Sequence, residues 1–196
     1  MSIFKRYINI IKTEKSIFCL LTGMLLFGFL FGLIFPGVGE KFIFNINSIN
    51  FYINALSTGD GVGLVIFSRF FAYLFCLFIL VICTRAILLI IVACIVVFYN
   101  AYLLGAILQA LISNFKFNGL VLYILSILIQ GLSAIVGYVV YALTIFYADK
   151  KHKSCISKKH NLRLKAFFIA LILLIGALIL TLIAVFCLLR PLNLAF

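Results

Sequence analysis

The sequence predicts an all-α, polytopic membrane helix bundle of about five transmembrane helices, with the N-terminus inside and the C-terminus outside. Three observations predict it. Apolar residues make up 67% of the 196-residue chain, where soluble domains average roughly 45–50%. Mean hydropathy is +1.36. The 16 Lys and Arg residues, set against only 4 acids, gather in the gaps and ends of long apolar runs. The whole chain, 1–196, reads as one integral membrane domain.

A helix that crosses the hydrocarbon needs about 20 apolar residues. The first such run is 16–35, stopped by Pro36-Gly37. Its basic start resembles a signal peptide, but the run is longer than an h-region of about 7–15 residues, so an uncleaved anchor is expected. An outer loop, 36–63, follows. Apolar sequence then continues from Leu64 to Ser113, too long for one crossing, and Thr84-Arg85 interrupts it. A tight turn there separates a second span, 64–84, from a third, 86–113. The fourth, 120–147, is long enough to tilt. A basic loop, 148–165, precedes the fifth span, 166–189, which ends before Arg190-Pro191.

Orientation follows from the basic residues, because Lys and Arg are retained on the cytoplasmic side. With the N-terminus inside, that side carries Lys5, Arg6, Lys12, Lys15, Arg85 and the seven cations between Lys150 and Lys165. The outer side keeps Lys41, Arg69, Lys116 and Arg190.

The acids, Glu14, Glu40, Asp60 and Asp149, all lie away from mid-membrane. Proton relays and ion-coupled transporters normally need a buried ionisable group. Paired acids and the HExxH, GxSxG and GxxxxGK[ST] motifs do not occur, so no enzymatic activity is expected. Cys19, Cys76, Cys83, Cys94 and Cys187 fall within spans and read as small buried hydrophobes. His152 and His160 flank Cys155 in the basic loop without a fourth ligand, so neither a metal nor a cofactor is expected.

The deep polar residues are amides: Asn100 and Gln109 in the third span and Gln130 in the fourth. An amide in hydrocarbon must find a partner. Asn100 and Gln130 are therefore expected to face the bundle interior as packing glue between the third and fourth spans, with a substrate site as the alternative. Small residues mark close helix approach. Gly28 and Gly32 form a GxxxG in the first span; Ala101 and Gly105, then Ala106 and Ala110, repeat the spacing in the third; Ser133 and Gly137 do so in the fourth. Intramolecular packing is the expected use.

The outer loop carries Phe42, Phe44, Phe51 and Tyr52 in an apolar segment too short to span, suited to docking a partner or lying in the interface. Its Gly-rich end, 57–63, reads as a hinge. The basic loop Lys150–Lys165 is expected to meet anionic lipid, at about 1 kcal/mol per cation. It has no interleaved aromatics to stack bases, so nucleic acid is not an expected partner.

From the third span onward the chain resembles the stage II sporulation protein M family. The resemblance rests on Asn100-Ala-Tyr-Leu-Leu-Gly105, on Asn114-Phe-Lys-Phe-Asn-Gly119 and on Ile129-Gln130-Gly131. The first span, with Glu14-Lys-Ser-Ile followed by Gly23, Gly28 and Gly32, is similar too. Asn100 stands where that family tends to have Lys, Ile129 and Gly131 replace a Pro and an Asn, and Phe186 falls where a Glu is common. Gly105, Gly119 and Gln130 are the positions carried over. The resemblance implies a five-span, non-enzymatic scaffold that recruits other membrane or cell-wall proteins; the namesake recruits two wall hydrolases, stage II sporulation proteins D and P. The implied location is a bacterial plasma membrane, which the Ile, Phe, Asn and Lys usage suits. The alternative reading is a small-solute transporter subunit that binds substrate near Asn100 and Gln130.

Overall fold

A computed structural model describes residues 3–36, 62–83, 85–151 and 156–184. The partner-loop residues Phe42, Phe44, Phe51 and Tyr52, and the C-terminal end of the expected fifth span, lie outside them. All regular structure among the described residues is helical: α1 (Ile3–Thr13), α2 (Lys15–Ile34), α3 (Val62–Ile82), α4 (Ala86–Leu122), a π-helical segment (Tyr123–Leu128), α5 (Ile129–Lys151) and α6 (Ile156–Ala184). Four stretches are long and apolar enough to cross a membrane: Lys15–Ile34, Ala86–Asn114, Ile129–Lys151 and His160–Ala184. The apolar length of α3, Ile66–Ile82, is shorter.

Helix α1 was not anticipated from hydropathy, because it is amphipathic rather than apolar. Its Ile residues recur at helical spacing between Lys5, Arg6, Asn9 and Lys12, and Ile10 is buried while Lys12 is exposed. Glu14 separates it from α2 with φ −108° and ψ 41°, outside the helical region.

Pairs of touching residues fix the relative directions of the helices. Gly28 meets Phe98 and Ala101, and Gly32 meets Tyr102 and Ala106, so α2 and α4 run parallel. Gln130 bonds to Ile66 and Tyr138 to Tyr73, so α3 and α5 run parallel. Gly137 packs on Ala170 and Asp149 pairs with Arg163, which makes α5 and α6 antiparallel, while Gly131 packs on Leu104 across the reversal at Lys116 that joins α4 to α5. The core lies where these helices converge, around Leu77, Leu89, Val97, Ile127, Ala134, Tyr138 and Leu174.

Two expected loops are much shorter than the sequence implied. Between the third and fourth spans the helix is interrupted only at Lys116, with φ 50° and ψ −124°. The chain reverses there, and Gly119 closes against Leu111, where a Cβ would stand 2.1 Å from the carbonyl oxygen. The stretch 148–165, expected as a basic loop, is helical on both sides of 152–155: it completes α5 and begins α6. Lys and Arg are good helix formers, and Lys150 and Lys151 in the last turn of α5 complement the negative end of its dipole. Charge was the wrong signal for a helix end here.

Candidate functional site

Helix α3 organises the polar interior. Ile66, Arg69, Tyr73 and Cys76 recur every three or four residues and so share one face. Phe67, Phe71, Phe75 and Phe78 occupy the opposite face and are exposed. The usual amphipathic order is inverted: aromatics outward, polar groups inward.

Arg69 is 4% exposed. The orientation from sequence places it with the outer cations, yet it falls within the second span and is enclosed by the bundle. Seven residues from the first residue of α3, it lies about 10 Å along the helix at 1.5 Å per residue. Its guanidinium donates to the Tyr73 hydroxyl and sits 5.5 Å from the Tyr73 ring centre. A cation over a tyrosine face is stabilised by the ring quadrupole, and an arginine within a membrane bundle is tolerated only with such partners. Tyr123, fully buried in the π-helical segment, lies within electrostatic reach of both Arg69 and Tyr73. The sequence signal for this cluster was the three-to-four spacing of Ile66, Arg69, Tyr73 and Cys76. It becomes legible once the Phe stripe is recognised as the outer face.

The deep amides attach to this same helix. Asn100 is 3% exposed and Gln130 0%. Asn100 Nδ2 donates to Val96 O at 2.7 Å within its own helix and approaches Cys76 Sγ at 3.8 Å. Gln130 Nε2 donates to Ile66 O at 3.4 Å, and the Tyr138 hydroxyl donates to Tyr73 O at 2.8 Å. The expected glue between the third and fourth spans instead ties each of those spans to the second. Asn100 and Gln130 hold different levels of α3 because its free carbonyl lone pairs and thiol are the acceptors within reach. Gln109, half-buried on α4, is not part of the seam; its Oε1, like Gln130 Oε1 and the Tyr123 hydroxyl, is buried without a hydrogen-bond partner.

A second seam is made of small residues. A Cβ at Gly28 would stand 2.5 Å from Phe98 O, one at Gly32 2.1 Å from Tyr102 O, and one at Gly105 2.2 Å from Phe29 O. Backbone therefore meets backbone along the parallel α2 and α4 pair, the close approach that small residues permit in a membrane. Tyr102 finishes this seam, its hydroxyl donating to Phe35 O at 3.1 Å and Pro36 O at 2.9 Å, where α2 ends. At the opposite end two ion pairs tie helices together. Lys150 Nζ lies 3.3 Å from Glu14 Oε1, and Arg163 lies 3.5 Å from Asp149 Oδ1.

Among the described residues no three His, Cys, Asp or Glu side chains gather as a metal site. The arrangement defines a helical bundle, apolar enough to sit in a membrane, with one polar and one glycine seam. No family model matches the chain, and neither does a curated protein or a solved structure.

Proposed function

We propose that this protein is a non-enzymatic scaffold of a bacterial plasma membrane. It crosses five times with the N-terminus inside and recruits envelope-remodelling partners through its outer loop and helix faces. This is the role implied by its resemblance to the stage II sporulation protein M family. The observation that carries the reading is the engagement of the deep polar groups. Gln130 and Tyr138 donate to backbone carbonyls of α3, and Asn100 reaches Cys76 on the same helix, so all three act as fasteners. The alternating helix directions support five crossings, since α3 must then cross for α2 and α4 to be parallel. The clustering of Lys150, Lys151, Arg163 and Lys165 with the start of α2 supports an inside N-terminus.

The test is a photoreactive residue in place of Phe44 or Tyr52, crosslinked in the native membrane. Capture of wall hydrolases or other envelope proteins at either position is the expected result, together with loss of their membrane recruitment, read by fractionation, when 42–56 is exchanged for a Gly/Ser linker. Unchanged recruitment after that exchange would sink the scaffold reading.

One observation favours the alternative, a solute-transporter subunit. Gln130 Oε1 and the Tyr123 hydroxyl are buried polar atoms without hydrogen-bond partners, and a bound solute would satisfy them. A thermal shift of the purified protein with a panel of small solutes, abolished by Gln130→Leu, is the outcome that reading requires.

A further inference from the structure

An open groove of about 780 Å³ lies at the turn between α3 and α4, lined by Ile82, Arg85, Ile87, Leu88, Ile91 and Asp149. We infer that this groove binds an anionic glycerophospholipid, its phosphate on Arg85 and an acyl chain along Ile87 and Ile91. The inference rests on the membrane reading but is independent of the scaffold.

The groove combines two chemistries that only an amphiphile uses together. At its mouth Arg85 is exposed, and among the described residues it makes no ion pair. Arg85 is also the N-cap of α4, so the guanidinium stands at the positive end of that helix, where an anion is favoured. Behind the mouth the wall is hydrocarbon. Ile82, Ile87, Leu88 and Ile91 are all exposed, and Ile95 continues the same surface one turn further along α4. A water-soluble phosphate would leave that wall unused, and a zwitterionic phospholipid would bring its own ammonium against the positive rim, so the anionic lipid is favoured.

The carboxylate in the groove does not oppose this assignment. Asp149 pairs with Arg163 at 3.5 Å, so the two cancel and Arg85 sets the sign of the rim. Lys150 beside it is engaged by Glu14 at 3.3 Å, and Lys151 donates to the Tyr147 hydroxyl at 2.8 Å. The surroundings add positive charge: the chain carries +12 overall, and Lys165 is exposed near the start of α6. The site differs from diffuse attraction by the cations between Lys150 and Lys165 in having one cation, one groove and one lipid.

The chain contains no Trp, so one introduced indole reports its own lipid neighbours. The experiment places Ile91→Trp protein in phosphatidylcholine bilayers with a minor fraction of brominated phosphatidylglycerol or of brominated phosphatidylcholine. The expected result is a local phosphatidylglycerol fraction about fivefold its bulk value, the factor one Lys or Arg contributes at an anionic lipid surface. Arg85→Gln should remove this preference, Lys151→Gln should not, and an indole at Ile179→Trp, exposed near the far end of α6, should show none. Equal quenching by both lipids at Ile91→Trp overturns the proposal. So does a preference that survives Arg85→Gln, appears equally at Ile179→Trp, or is abolished by millimolar glycerol phosphate. No quenching by either lipid at either position would overturn the membrane reading, and the site with it. As a second measurement, native mass spectrometry of the unsubstituted protein should retain one phosphatidylglycerol that the Arg85→Gln protein loses.

Discussion

Replacing Gly32 by Ala adds one methyl group where the α2 and α4 backbones touch. The new Cβ would stand 2.1 Å from Tyr102 O and 2.9 Å from Ala106 N, whereas a carbon normally approaches a carbonyl oxygen to about 3.3 Å. Both obstructions are backbone, so relief requires the helices to part by roughly an ångström, enough to forfeit a quarter to a half of the dispersion attraction of the atoms lining the gap. Such overpacking costs about 1–3 kcal/mol, and the helix preference for Ala over Gly returns up to ~1 kcal/mol. A net loss of up to about 2 kcal/mol is expected. Gly23, on the same helix with nothing within 4 Å, is the matched control: there Ala should gain up to ~1 kcal/mol. Reversible denaturation of the two variants in mixed micelles measures the difference, in which the helix preference cancels and the overpacking cost of about 1–3 kcal/mol remains in favour of Gly23→Ala. Equal stabilities would refute the argument that the first-span glycines serve an internal backbone contact.

Lys116 holds φ 50° and ψ −124°, a backbone region that suits glycine. Lys116→Gly should therefore raise stability by about 1 kcal/mol, read as a higher midpoint in the same denaturation; a lower midpoint would contradict the strain. Gln130→Leu removes a long hydrogen bond at 3.4 Å together with an unpartnered oxygen, so its cost should stay at or below ~1 kcal/mol. A loss exceeding that of Gly32→Ala would mean the amide does more than fasten α5 to α3. Glu14→Gln breaks the pair between a buried carboxylate, 5% exposed, and Lys150, 63% exposed, while the amide keeps the shape and removes the cost of burying a charge. Solvent screening limits that loss to under ~1 kcal/mol, and the difference from wild type should shrink in high salt.

Length and hydropathy made the long helices legible, because a bilayer allows few other solutions. The glycine seam was legible as well, since Gly28, Gly32 and Gly105 carry their spacing in the sequence. What sequence could not reveal was partnership. Asn100 and Gln130 were read as belonging to each other's helices, yet the acceptors within reach lay on α3, and only three-dimensional packing brings Ile66 O to Gln130. Arg69 was misread for a related reason: a single cation near the start of an apolar run looks like a boundary, whereas Tyr73 one turn on makes burial tolerable. Helix α1 escaped because Lys5, Arg6, Asn9 and Lys12 interrupt its apolar residues, so its average hydropathy is unremarkable while one face of the helix is apolar. The one-residue reversal at Lys116 had no signal, because Lys is not the residue that such a backbone favours.

The parallel contact of α2 with α4 has a consequence for biogenesis. Gly32 is synthesised 73 residues before its counterpart Gly105, a delay of about 4–15 s at translation rates of roughly 5–20 residues per second. Throughout that interval the glycine groove of α2 lacks the backbone that covers it in the finished bundle. The joint can close only when the ribosome has delivered α4, so α2 must wait as its unpaired half.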